Sequence, residues 1–131
     1  MRQPSALLVI DLERGFLDQS SPLCIRQAAA TLPACGRAIA YARGAGIPVF
    51  FVTRAYRANG SDVELTRYRG WRDGGAPLAP GSTGPGSVET PPEVTPRPGD
   101  YTIVKPRFSA FFQTELDLIL RRLGVHTLYL A

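Results

Sequence analysis

Histidine, tryptophan and methionine occur once each, and cysteine twice. Lysine also occurs once, as Lys105, so fourteen of the fifteen basic side chains are arginine. Cys24 and Cys35 fit no metal or redox spacing and read as reduced thiols, with Cys35 a small core residue on a helix face. The single histidine, His126, falls at a loop-to-strand junction and reads as structural. No apolar run approaches the ~20 residues that a membrane span needs. The N-terminal apolar run meets Asp11 after five residues, too short for a secretory leader, so the expected location is cytoplasmic. The net charge is +4, yet the cations are spread along the chain. No basic stripe interleaved with aromatic residues is present, so nucleic acid is not an expected partner.

What is present is a chain of one-domain size, 131 residues, with an ordinary 44% hydrophobic content. Ala6-Leu7-Leu8-Val9-Ile10 reads as a strand buried on both faces, as a parallel sheet demands. Asp11 closes it. Ligands of open α/β sheets bind at the carboxyl ends of strands, so this carboxylate is a candidate site residue, the alternative being a turn or capping Asp. Phe16 follows in a loop, either as the wall of a pocket above that strand end or as loop packing.

The next elements alternate. Thr31 is expected to cap a helix that carries Leu32, Cys35, Ile39 and Ala42 on one face, with a looser helical lead-in over residues 24–30. Gly44 and Gly46 end it. Residues 47–53 read as a second strand with Pro48 at its start, completing a right-handed βαβ unit. Arg54 and Tyr56 lie just past that strand, on the edge that holds Asp11, either touching substrate or forming a solvated loop. Residues 59–100 are rich in Gly, Pro, Ser and Thr and read as a lid, a binding segment or disorder. They contain one short helix over 63–71, whose Trp71 either covers a pocket or pins the loop. Residues 101–104 form a third strand, closed by Lys105 and stopped by Pro106. Arginine keeps its proton in proteins, whereas a partly buried lysine has a movable pKa, so the position of the only lysine is informative. Thr114, with Asp117 three residues on, is expected to cap a helix that presents Leu116, Ile119, Leu120 and Leu123. Residues 127–130 form a fourth strand.

Two motifs together resemble the isochorismatase-like cysteine hydrolase family, which includes nicotinamidases, N-carbamoylsarcosine amidases and ureidoacrylate hydrolases. One is Ala6-Leu-Leu-Val-Ile-Asp11 with Phe16. The other is Pro98-Gly-Asp-Tyr-Thr-Ile-Val-Lys105-Pro-Arg-Phe108-Ser-Ala-Phe111, continuing to Thr114 and Leu116. The resemblance runs over essentially the whole chain. It implies a Rossmann-like three-layer αβα fold with a parallel sheet of order 3-2-1-4-5-6, of which residues 1–131 supply the first four strands of a single domain. It implies an Asp-Lys-Cys triad in which Asp11 is the general base and Lys105 the lysine. Such a triad attacks a small amide or ureido substrate and passes through a thioester acyl-enzyme. Phe16, Arg54, Tyr56, Trp71 and Phe108 are the candidate substrate-contacting residues.

The nucleophilic cysteine of the family follows the fourth strand, and neither Cys24 nor Cys35 is at that place. The expectation is therefore a longer parent protein that carries its nucleophile beyond Ala131, with β-edge Leu128 to Leu130 exposed in this chain. Nicotinamidases of the family hold a metal through an Asp and histidines after the second strand; Thr53-Arg-Ala-Tyr-Arg-Ala-Asn59 has no histidine, so no metal or other cofactor is expected. Two alternatives stay open: vinyl-ether hydrolysis of isochorismate, with Arg54 and Arg57 meeting the anion, or a non-catalytic binding or assembly fragment. Family members commonly form dimers or tetramers, which makes a homo-oligomer the expected assembly.

Overall fold

The computed structural model describes residues 4–131. Four strands form one sheet: β1 (Ser5–Ile10), β2 (Val49–Arg54), β3 (Tyr101–Lys105) and β4 (Thr127–Leu130), in the order β3-β2-β1-β4. All three pairings are parallel, with Leu8 opposite Phe50, Leu7 opposite Tyr129, and Arg54 opposite Lys105. The expected first four strands of a 3-2-1-4 order are thus in place. The helices are α1 (Arg14–Leu17), α2 (Leu32–Gly44), α3 (Leu65–Asp73) and α4 (Leu116–Arg122).

The strand period of two divides the core into two layers. Ala6, Leu8, Phe50, Val52 and Ile103 pack on Leu116 and Leu120 of α4. Their neighbours Leu7, Val9, Val49 and Phe51 pack on Cys35, Ile39 and Ala42 of α2. A strand buried on both faces has no polar face to alternate with, which is why β1 and β2 read as continuous apolar runs. With α2 and α4 on opposite faces, the chain reverses its winding between β1 and β4. A sheet wound this way opens a crevice at the carboxyl ends of its strands near the reversal.

Several local expectations need correction. Thr31 does not cap α2: its hydroxyl donates to the Ala28 carbonyl at 2.7 Å within the 3-10 turn Ala28–Thr31, which feeds the helix directly. The helical lead-in is confined to that turn. Thr114 Oγ1 does accept the Leu116 N–H at 3.3 Å, but Asp117 makes no capping box and pairs with Arg121 at 2.8 Å instead. Residues 59–100 are not a bare loop. Val63, Trp71 and Leu78 form a third apolar cluster with Tyr56, and Phe16 packs against it. Trp71 Nε1 donates to the Pro77 carbonyl at 2.8 Å, so the tryptophan pins the segment down. The segment is also tied to the sheet at its far end. Asp100 takes Arg43 of α2 at 2.5 Å and the Arg97 N–H at 2.8 Å, which fixes the turn that enters β3.

Tyr129 and Leu130 of β4 are half exposed or more, as expected for an apolar edge strand. No helix among the described residues is long and apolar enough to cross a membrane.

Phe50 is fully buried and stacked on Tyr101 with ring centroids 4.5 Å apart. Phe50→Ala is expected to cost about 3–5 kcal/mol of stability. Arg72→Ala, on the exposed face of α3, is expected to cost less than about 0.5 kcal/mol. Urea unfolding of both variants measures the contrast; equal losses would contradict this assignment of the core.

Candidate active site

Asp11, Arg54 and Lys105 end three adjacent strands on one edge of the sheet. Asp11 and Lys105 are not on neighbouring strands, because β2 lies between β1 and β3. Two strand spacings are about 9.6 Å. The gap is closed from both sides. Asp11 adopts a left-handed backbone (φ 57), a conformation that Asp tolerates better than most residues, while its N–H stays bonded to the Val52 carbonyl at 3.0 Å. Lys105 supplies a four-carbon stem. Its ammonium donates to Asp11 Oδ2 at 3.0 Å and to the Phe108 carbonyl at 2.7 Å. Pro106 stops β3, and the turn that follows brings Phe108 back over the lysine.

The two partners differ in exposure. Lys105 is 2% exposed, whereas the Asp11 side chain keeps 28%. A buried ammonium needs a counter-charge, and Asp11 is the carboxylate that meets it. Asp11 Oδ1 is buried and has no hydrogen-bond partner among the described residues, which leaves one lone-pair face of the carboxylate free. Such a pair can accept a proton at Asp11 while Lys105 holds a positive field beside it.

Arg54 and Tyr56 are not a solvated loop. Both are buried, and Arg54 belongs to β2. The guanidinium reaches Glu64 at 2.5 Å and the Tyr56 hydroxyl at 2.5 Å, and that hydroxyl donates to Glu64 at 3.0 Å. Burial raises the Glu64 carboxyl, but its own main-chain N–H, Tyr56 and Arg54 outweigh it and hold the group below the usual carboxylate range. Burial, with Glu64 adding to it, pushes the Tyr56 phenol up. Phe16, Arg54, Tyr56 and Trp71 line one cavity of about 350 Å³. Phe108 does not line it. Its ring is 69% exposed and lies against the Arg54 and Arg67 guanidinium groups, at 4.8 and 4.9 Å.

Neither thiol joins the pair. Cys35 is buried on the sheet-facing side of α2, and Cys24 Sγ lies 3.9 Å from the Leu17 carbonyl. Among the described residues no cluster of three or more His, Cys, Asp or Glu side chains is arranged to hold a metal.

Two residues at this edge escaped the sequence reading. Glu64 had no signal beyond its place at the start of a short helix. Glu13 is 1% exposed and accepts the Arg54 N–H, although in sequence it reads as a loop glutamate. The available hint was its distance of two residues from a strand-end carboxylate. Burial first, then the Asp11 charge, pushes its carboxyl up to about 8, against the opposing pull of main-chain N–H groups and Lys105.

The fold has counterparts among known proteins. An isochorismatase domain model matches residues 5–131. A probable inactive nicotinamidase of Arabidopsis thaliana is 34% identical over 128 residues, covering 97% of this chain and 64% of that protein. The ureidoacrylate amidohydrolase RutB of Pantoea ananatis is 33% identical over 144 residues, covering 96% of this chain and 56% of the relative. The chain thus spans about three fifths of the length of these curated relatives. The crystal structure of an isochorismatase family protein from Desulfovibrio vulgaris superposes with a TM-score of 0.89 at 39% identity, covering 97% of this chain and 65% of that one. With the sheet order and a domain match over nearly every residue in agreement, the chain belongs to the isochorismatase family of hydrolases.

Proposed function

We propose that the full protein is a cysteine hydrolase acting on a small amide or ureido substrate, with Asp11 as general base and Lys105 as its charged partner. The observation that carries this reading is the 3.0 Å contact between Asp11 and Lys105 at the carboxyl edge of the sheet. The free Asp11 oxygen takes the proton of a thiol, and the ammonium stabilises the thiolate. The thiolate attacks the carbonyl carbon. The amine departs with the proton that Asp11 holds, leaving a thioester that water hydrolyses. The thiol is assigned, by family resemblance, to the segment after β4. The end of β4 runs to the same edge, where the Ile10 N–H donates to the Ala131 carbonyl at 2.9 Å. The 350 Å³ cavity beside Arg54 suits a small substrate. The amidohydrolase relative supports the amide class.

An isochorismate-like dianion would call for uncommitted cations. Arg54 is already neutralised by Glu64, which leaves the exposed Arg57 as the one uncommitted cation of the two, so the amide reading is preferred. The non-catalytic reading has its own support: neither thiol in these residues meets the pair, and one relative is named as probably inactive.

Asp11→Asn and Lys105→Ala in the full-length protein are each expected to lower kcat/KM by about 10³-fold or more on ureido and amide probes, read as ammonia release. Near-normal turnover in either variant removes the base and lysine roles.

Iodoacetamide is expected to abolish turnover by alkylating one thiol other than Cys24 and Cys35, located by peptide mass spectrometry. Inactivation that tracks Cys24 alone reassigns the nucleophile. A protein with no turnover on any amide, ureido or vinyl-ether probe is the binding module of the alternative reading.

A further inference from the structure

Two carboxyl groups stand near one ammonium at the carboxyl edge of this sheet. Lys105 Nζ is hydrogen-bonded to Asp11 and to the Phe108 carbonyl. Glu13 stands beside them, more deeply buried than Asp11. One of its oxygens accepts the Arg54 N–H; the other, Oε2, is buried and has no partner among the described residues. The charged groups that face Glu13 are Asp11 from the end of β1 and Lys105 from the end of β3. From β2 it receives the Arg54 N–H, while that guanidinium is taken by Glu64 and Tyr56. Arg14, next in the chain, is engaged by Asp18 at 2.7 Å and Glu89 at 3.1 Å. Among the described residues no cation forms an ion pair with Glu13.

We propose that Glu13 is a positioning residue acting through Asp11: as a neutral acid it leaves Lys105 to Asp11, and as a carboxylate it competes with Asp11 for Lys105. The change releases one proton from Glu13 to solvent and nothing else. A neutral acid avoids an unpaired buried charge on the oxygen that the Arg54 N–H does not reach. In the carboxylate state a second negative charge stands near the Asp11–Lys105 pair, which disfavours a thiolate or oxyanion formed against that pair. The catalytic consequence rests on the hydrolase reading above; the coupling between the two carboxyl groups does not.

The coupling is read without turnover by ¹³C-carboxyl NMR titration of the wild-type full-length protein. Glu13 is expected to titrate near pH 8, and Asp11 to show a step with the same midpoint. In Glu13→Gln, whose amide mimics the neutral acid, the Asp11 step disappears. A Glu13 midpoint near pH 4.5, or an Asp11 signal that ignores Glu13, overturns the proposal. Stability gives a second readout. The folded chain holds the Glu13 proton more tightly than the unfolded chain does. The wild type therefore loses stability relative to Glu13→Gln as pH rises from about 4.5 to about 8. A difference in Tm that is constant with pH overturns it. If the protein turns over an amide, wild-type kcat/KM is expected to fall about tenfold between pH 7 and pH 9, and the Glu13→Gln profile, scaled to its own maximum, to lack that limb. Identical profiles reduce Glu13 to a buried acid with no positioning role. Absence of turnover in the wild type sinks the hydrolase reading instead, and the titration still decides the coupling.

Discussion

The chain's least soluble decision is to bury its only lysine. An ammonium at 2% exposure is tolerated only with a counter-charge and satisfied protons. Both come from segments that the fold has to place for the purpose. The carboxylate comes from β1, two strands away, and the carbonyl from the turn after Pro106. The order β3-β2-β1 is therefore more than a topology. It sets the span that the Lys105 stem and the left-handed turn at Asp11 have to bridge. Holding Asp11 in that conformation costs about 1 kcal/mol, offset by the ion pair and by the Val52 hydrogen bond.

The same edge carries the long insertion between β2 and β3. Its composition, heavy in Gly and Pro, suggests a segment that cannot pack. Yet it supplies a small core of its own, built around Trp71 and Leu78, and fastens to the strand ends through Glu64 and Arg54. The Tyr56 N–H bonds to the Leu78 carbonyl, and the Leu78 N–H to the Gly86 carbonyl. Leu78 sits at φ 62 with almost no exposure, a strained backbone that persists because the packing around it leaves no alternative. The result is a wall of the cavity rather than a free flap.

How far the sequence revealed this depends on which physical signal each feature has. Runs such as Ala6–Ile10 and the spacing of Cys35, Ile39 and Ala42 report burial directly, so strands and helices were legible, while the sheet order came only with the family resemblance of the two motifs. The meeting of Asp11 with Lys105 was legible once the lone lysine and the two motifs were weighed together. Caps were less so. Thr31 has the right chemistry for a cap, but a preceding 3-10 turn supplies a nearer acceptor, the Ala28 carbonyl, and local competition of that kind leaves no trace in periodicity. The edge on which Arg54 and Tyr56 lie is legible, but their burial is not, because it depends on Glu64, ten and eight residues away across a turn. Glu13 was the hardest. A glutamate in a loop is almost always solvated, and only the three-dimensional closure of β2 over it makes it otherwise.

A charge count at this edge shows why Glu13 is the group that yields. Arg54 and Glu64 cancel, and Lys105 and Asp11 cancel. One carboxyl remains, in a place with little water and no cation in direct contact with it. Of the two carboxyls near Lys105, Asp11 keeps solvent access on its side chain and the direct ammonium contact, whereas Glu13 has neither. Desolvation therefore falls on Glu13, and its neighbour's charge adds to it. A fold that needed only an ion pair to fill this space would have no use for a third charge beside it. Keeping an acid there makes the state of the Asp11–Lys105 pair depend on pH, and a glutamine, which would bond to Arg54 equally well, would not.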